Sequence, residues 1–244
     1  MKIVVLGHYG SFAGRDGACS GYFIQTDKST ILVDCGNGIL SRLQRYCRIE
    51  ELDAIVVSHL HDDHIGDLRI LRYAVETKQA FKQFDGPVKV FMPQSPAAIA
   101  EEIRQPAVFD TEYIYDGLAV EIKGLSLRFA LMEHSIESYA ISIEEGSKRT
   151  VYTADTVYNE KLVVFSQNAD LLISEATFAN LSSLAISVPH MDALQAGLIA
   201  RRAGVKQLLL THFWYEENIK ECVKAAKQNF SNVSAADELK EYIV

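Results

Sequence analysis

Five apolar, β-like runs in this chain lead to a side chain that can bind a metal or move a proton. DAIVVS runs into His59, LSLRFALM leads to His134, RTVYTA ends on Asp155, DLLIS on Glu175 and QLLLT on His212. Strand ends along one edge of a layered fold converge in space, and ligands bind at such edges. The recurrence therefore constrains the fold as well as the chemistry. It asks for strands that run the same way and deliver their last residues to a common rim.

The rest of the chain fits that demand. KIVVL (2–6) reads as a strand followed by the Gly-rich loop GHYGSFAGRDGACSG, and GYFIQT and TILVD as a hairpin turning at Asp27–Ser29. Helices are expected over 37–47, over 65–78 through Leu68, Leu71 and Val75, near 96–104, over 190–204 and over 216–229. Strands are expected at 53–58, 88–92, 170–174 and 207–211, with a β-rich middle over 111–154. Strands mixed with flanking helices in both halves make two sheets packed face to face with helices outside, an α/β fold of αββα four-layer type, the economical architecture. No linker or repeat divides residues 1–244, so one domain is expected.

Composition narrows function. A formal charge of −8 over 244 residues argues against general affinity for nucleic acid, which depends on basic side chains meeting phosphates. No stretch approaches the roughly 20 apolar residues of a membrane helix. The start, MKIVVLGHYG, is too short an apolar run for a signal peptide. A cytoplasmic protein without a membrane partner is expected. Cys19, Cys35, Cys47 and Cys222 form no CxxC pair and read as buried free thiols.

The stretch SHLHDDHIGD (58–67) holds the densest chemistry. His59 and His61 lie two apart, so an extended backbone sends both imidazoles the same way. Asp63 and His64 follow where the chain must turn before a helix expected from Ile65. Imidazole nitrogen and carboxylate oxygen suit zinc, with manganese or iron as alternatives. Four such ligands overcrowd one catalytic ion that needs an open position. Two neighbouring divalent ions relieve the crowding if distant residues complete both shells, and His134, Asp155 and His212 are of the right type. Any one of these three alone reads more simply as a satisfied polar residue; beside HxHxDH that weighting reverses.

SHLHDDHIGD and the order of the later motifs resemble the metallo-β-lactamase-fold hydrolases over residues 1 to about 215. The resemblance implies that His59, His61 and His134 hold one metal, that Asp63, His64 and His212 hold the other, and that Asp155 in YTADT bridges them. Asp34 in LVDCGNG would support the metal loop. DLLISEATF and SVPHMDALQAGLIARRAGVKQLLLTHFW resemble the ribonuclease Z branch and its small phosphodiesterase-like relatives, which implies proton-transfer roles for Glu175 and His190. A histidine beside a carboxylate is by itself a reasonable acid for an alkoxide leaving group. The plainer reading of His190 is a helix cap before MDALQAGL. Water shared by two cations becomes hydroxide near neutral pH, and Asp63 would help to steer it. Asp34 and Asp67 are candidates for holding imidazoles in one tautomer. The Gly-rich loop lacks a Walker pattern and reads as an ordinary connection, with His8 carrying no stronger claim.

Ribonuclease Z grips tRNA with an arm between its third histidine and its bridging aspartate. Here one apparent hairpin, SYAISIEEGSKRTVYT, fills that interval, so long RNA is a poorer substrate than a small phosphodiester such as a cyclic nucleotide or an oligonucleotide end. Arm-less RNA processing, thioester or lactone hydrolysis, and a non-catalytic metal-binding sensing module stay open. β-Lactam hydrolysis is disfavoured, since no cysteine stands in the lactamase-type metal position. A homodimer through YAVETKQAF or the last helix is a further expectation drawn from relatives.

Overall fold

The computed structural model describes residues 1–183 and 185–244. Strands β1 (Lys2–Gly7), β2 (Gly21–Gln25) and β3 (Thr30–Val33) form an antiparallel meander. The chain continues through α1 (Ile39–Leu43), β4 (Ala54–Val56), α2 (Asp62–Ile65), α3 (Leu68–Ala80), β5 (Val88–Met92), α4 (Ala97–Ile103) and β6 (Phe109–Tyr113), with β3 to β6 parallel. It then crosses to a second sheet. There β7 (Ala119–Ile122), β8 (Leu125–Met132), β9 (Ser138–Glu145) and β10 (Lys148–Tyr152) pair antiparallel. Next come α5 (Glu160–Phe165), β11 (Leu171–Glu175), α6 (Ala193–Ala203), β12 (Gln207–Thr211), α7 (Ile219–Ala226) and β13 (Val233–Ala235), with β10 to β13 parallel. Finally β14 (Glu241–Ile243) returns to pair antiparallel with β1. The two sheets have seven strands each, in the orders β14-β1-β2-β3-β4-β5-β6 and β13-β12-β11-β10-β9-β8-β7.

Side-chain alternation turns these strands into layers. Ile3 and Val5 of β1 face the space between the sheets, while Val4 and Leu6 face the outer helices. Leu209 of β12 points inward, and Leu208 and Leu210 point outward. Strands covered on both faces need apolar residues at every position, which is why these read as unbroken hydrophobic runs. Outside the first sheet, Leu43 of α1, Leu68, Leu71 and Val75 of α3, and Ala100 and Ile103 of α4 close one core. Outside the second, Leu162 of α5, Ile199 and Ala203 of α6, and Cys222 and Ala226 of α7 close another. With the core between the sheets, this makes the expected αββα sandwich.

Several local expectations are corrected. The helix placed over 37–47 is only Ile39–Leu43, since Gly38 is left-handed at φ 88° and ends the approach to it. The turn expected at Asp63–His64 is itself a helical turn, α2, so the motif ends inside a helix rather than before one. Helix α5 and strands β13 and β14 were not anticipated. All four cysteines are buried and unpaired, as expected, and burial pushes the thiols of Cys47 and Cys222 up to about 12. Among the described residues no helix is long and apolar enough to cross a membrane.

Candidate metal centre

Parallel strands of both sheets end at one rim. From the first sheet, β3 delivers Asp34, and β4 leads through Val57 and Ser58 to His59. From the second, β8 leads to His134, β10 to Asp155, β11 ends on Glu175 and β12 to His212. Three of these strand ends are held in the left-handed region without glycine: Asp34 at φ 57°, Ala154 at φ 52° and His212 at φ 59°. Such conformations cost on the order of 1–3 kcal/mol each and persist where surrounding contacts over-determine them. Here they turn the chain sharply, so that the last side chains face the rim.

All seven metal-ligand candidates named from the sequence meet there, in two groups that share Asp155. His59, His61, His134 and Asp155 form one, and Asp63, His64, His212 and Asp155 the other; within each group one donor atom per residue lies within 4.8 Å of all the rest. In the first group His61 Nδ1 is 3.1 Å from both His59 Nε2 and His134 Nε2. Asp155 Oδ2 is 3.5 Å from His59 Nε2. In the second, His212 Nε2 is 3.2 Å from both Asp63 Oδ2 and Asp155 Oδ2, and His64 Nε2 is 3.4 Å from Asp155 Oδ1. A tetrahedron of ligands about 2.0–2.1 Å from zinc has edges of roughly 3.3–3.4 Å, so both groups have the spacing of a coordination shell.

The far side of each ring is anchored. His59 Nδ1 is 3.1 Å from Ser58 Oγ, His64 Nδ1 is 2.8 Å from Asp34 Oδ2, His134 Nδ1 donates to the Pro189 carbonyl at 2.9 Å, and His212 Nδ1 is 3.0 Å from Thr177 Oγ1. These contacts leave Nε2 of all four pointing inward as donors to a metal. His61 is the exception, turned so that Nδ1 faces in. Asp34, wholly buried, also accepts from Ser58 N, Ser58 Oγ and the Tyr152 hydroxyl. Beneath it, Tyr152 packs against Tyr22 with ring centroids 4.8 Å apart, forming a floor between the sheets.

Two buried atoms test whether cations fit. His64 Nε2 and Asp155 Oδ1 face one another without a hydrogen-bond partner. An unpaired buried polar atom is costly and rare, and a cation between them satisfies both. The donor set, imidazole with carboxylate, suits zinc, manganese or iron. In the metal-free protein, burial works against a charge on His64 and on His212. The surrounding carboxylates, Asp155 and Asp63 foremost, outweigh it and raise both pKa values well above the ordinary one. Burial dominates at His59 and, helped by the charge on His64, lowers it to about 4.

Glu175 and His190 sit beside the two groups. His190 Nδ1 is 3.2 Å from Glu175 Oε2 and 3.9 Å from Asp155 Oδ2. Burial opposes a charge on His190, but Glu175, with Asp155 behind it, raises its pKa above the usual value. Glu175 and His190 also form a third convergence with His212. The Glu175 oxygens, however, already accept from Thr156 N, Thr177 Oγ1 and Met191 N, which makes Glu175 a partner for His190 rather than a ligand. The helix-cap role that His190 could have filled belongs to Asp192, whose Oδ1 accepts from Gln195 N at 2.8 Å.

Two readings change. Asp67 does not hold an imidazole; its Oδ2 accepts from Leu40 N at the start of α1. The Gly-rich loop is more than a connection, because Ser11 N donates to Asp63 Oδ2 at 2.6 Å, and a Cβ on Gly10 would lie 2.4 Å from the His212 ring. His8 lies outside both groups, its Nδ1 2.6 Å from the Ala236 carbonyl. Ser58, Thr177, Tyr152 and Pro189 went unremarked in the sequence. Only Ser58 and Thr177 carried a signal, as hydroxyls next to the metal-group residue His59 and two positions beyond the strand-end Glu175.

Residues 29–213 match the model of the beta-lactamase superfamily domain. "Probable metallo-hydrolase YhfI" of Bacillus subtilis (strain 168) is 33% identical over 243 residues, covering 96% of this chain and 97% of the relative. The crystal structure of the B. subtilis metallo-beta-lactamase fold protein YhfI superposes with a TM-score of 0.94, covering 99% of this chain and 98% of that one. Ribonuclease Z of Ignicoccus hospitalis is 25% identical over 306 residues, covering all of this chain and 98% of the relative. A diphosphatase of the PhnP family shares the fold at 16% identity, with a TM-score of 0.77 over 100% of this chain and 97% of that one.

Proposed function

Because the chain belongs to the beta-lactamase superfamily of metallo-hydrolases, we propose that it is a dinuclear phosphodiesterase of small substrates, a cyclic nucleotide or an oligonucleotide end. The observation that carries this reading is the His190–Glu175 pair set 3.9 Å from a carboxylate, Asp155, that both metal-binding groups share. His59, His61 and His134 would hold one ion and Asp63, His64 and His212 the other, with Asp155 common to both. When bound, two divalent cations acidify water and draw charge from a phosphoryl oxygen.

The chain's own residues supply the rest. Asp63, fixed by the Ser11 N–H, offers its carboxylate beside the shared Asp155 to orient attacking water. Burial works against a charge on His190, but Glu175 beside it favours the imidazolium and raises its pKa above the ordinary value. With Nδ1 held by Glu175, its Nε2–H is the proton available to a leaving alkoxide. Thr177 links Glu175 to His212, so the acid and one metal ligand are positioned by a single hydroxyl.

A small substrate is supported by the hairpin of β9 and β10, which joins Ser138 to Tyr152 without an insertion. No arm grows from the interval where ribonuclease Z grips tRNA, and the net charge is −8. Ribonuclease Z among the relatives nevertheless keeps RNA end processing as the second reading.

A substrate panel on the zinc- or manganese-loaded protein tests the proposal: bis(p-nitrophenyl) phosphate, 2′,3′- and 3′,5′-cyclic nucleotides, a precursor tRNA, a thioester and a cephalosporin. Turnover of the small phosphodiesters is expected, with nothing on the thioester. His190→Ala should keep its metal and lose about 10²–10⁴ in rate, the usual contribution of a general acid, whereas Asp155→Ala should lose metal and rate together. Full turnover in His190→Ala would remove the acid from the proposal, and thioester hydrolysis alone would replace the substrate class.

A further inference from the structure

The rim opens into a pocket of 320 Å³ whose polar side is Ser11, Thr177 and His190 and whose remaining walls are Phe178, Ile186, Val188, Pro189 and Trp214. Its volume is at the low end for small-molecule sites, about 300–1,000 Å³. No lysine or arginine lines it among the described residues. A second aromatic group continues the wall: Phe12 meets Trp214 edge-on at 5.3 Å and Tyr215 at 4.6 Å, while Phe178 lies 6.5 Å from Trp214 with planes 29° from parallel. Phe12 and Ile186 are 48% and 72% exposed. These features come from three separate segments, the Gly-rich loop, the chain after β11 and the chain after β12, which all close on the space next to His190.

We propose that this pocket takes the nucleobase of a nucleoside phosphodiester, holding the substrate by stacking while the phosphate lies at the metal-binding groups. The inference rests on the phosphodiesterase reading and assigns the place where the substrate's base is held. A largely apolar, ring-lined pocket contiguous with the proton donor His190 suits the planar end of a nucleotide, since bases stack on aromatic side chains. One pocket of this size accepts one base, in keeping with a short substrate rather than a folded RNA.

Trp214 is the only tryptophan in the chain, so the site carries its own reporter. The zinc-loaded protein is titrated, with tryptophan emission as the signal, against adenosine 5′-monophosphate, ribose 5-phosphate and hexyl phosphate, which share a phosphate and differ in what fills the pocket. Adenosine 5′-monophosphate should bind about ten-fold more tightly than ribose 5-phosphate, some 1.4 kcal/mol, and should shift the emission. Phe178→Ala should erase the difference while ribose 5-phosphate binding and zinc content stay unchanged. Ile186→Ala, which trims only the exposed rim, guards against a folding artefact and should weaken the nucleotide alone. Equal binding of the nucleotide and the sugar phosphate, or tighter binding of hexyl phosphate, overturns the assignment even if bis(p-nitrophenyl) phosphate is hydrolysed. A ten-fold preference for the nucleotide upholds it even if no phosphodiester is cleaved, in which case only the proposed reaction falls.

Discussion

Asp34 shows how one residue serves backbone, packing and chemistry together. Its left-handed φ of 57° is tolerated by Asp and Asn better than by other side chains. Its carboxylate collects hydrogens from His64, Ser58 and Tyr152. Asp34→Ala would strand those donors in a dry interior and leave His64 unoriented. A loss on the order of 3–5 kcal/mol and a 10–100-fold weaker metal affinity are expected from chemical denaturation and zinc titration. Unchanged values would mean that His64 is positioned by packing alone. The same scale sets a pH dependence. In the metal-free protein the raised pKa values of His64 and His212 keep both rings protonated near neutrality, and each must give up a proton to offer Nε2 to a metal. Zinc affinity should therefore rise with pH through the neutral range, and calorimetry in buffers of different ionisation enthalpy should record proton release on binding. A heat independent of buffer would contradict it.

Among the elements, what could be read beforehand depended on where the signal lay. Strands buried on both faces, such as β4, β11 and β12, announce themselves by apolar content, and the site residues follow them directly. Strand β14 gave no such signal, because its flanking residues Glu241 and Ile243 are exposed and its pairing to β1 is made by backbone groups that any sequence provides. Helix α2 escaped notice because a single turn has no periodicity to detect; it was legible only as a cluster of ligands. The supports of the site, Thr177, Pro189 and Ser11, come from loops whose paths only the folded chain decides. Helix α6 adds an element-level prediction. Gly197 lets α6 and α7 approach so closely that a Cβ would lie 2.4 Å from the Ala226 carbonyl. Gly197→Ala should cost about 1–3 kcal/mol, as overpacking does, measured by denaturant midpoint, with metal content unaltered. A neutral or stabilising effect would show that α7 yields easily.

For the whole molecule, the two sheets repeat one plan: an antiparallel meander extended by parallel strands, with helices on the outer face. Set face to face, they bring the ends of their parallel strands to the same rim. His59, His61, Asp63 and His64 come from the first sheet and its loop, and His134, Asp155 and His212 from the second. Neither sheet holds a complete donor set, so each of the two groups spans the sandwich. The direct test is metal content by mass spectrometry on purified, zinc-supplied protein, paired with anomalous diffraction at the zinc edge. Two ions per chain are predicted, one within each group and both beside Asp155. Less than one ion per chain, or ions seated away from His134, Asp155 and His212, would contradict the account.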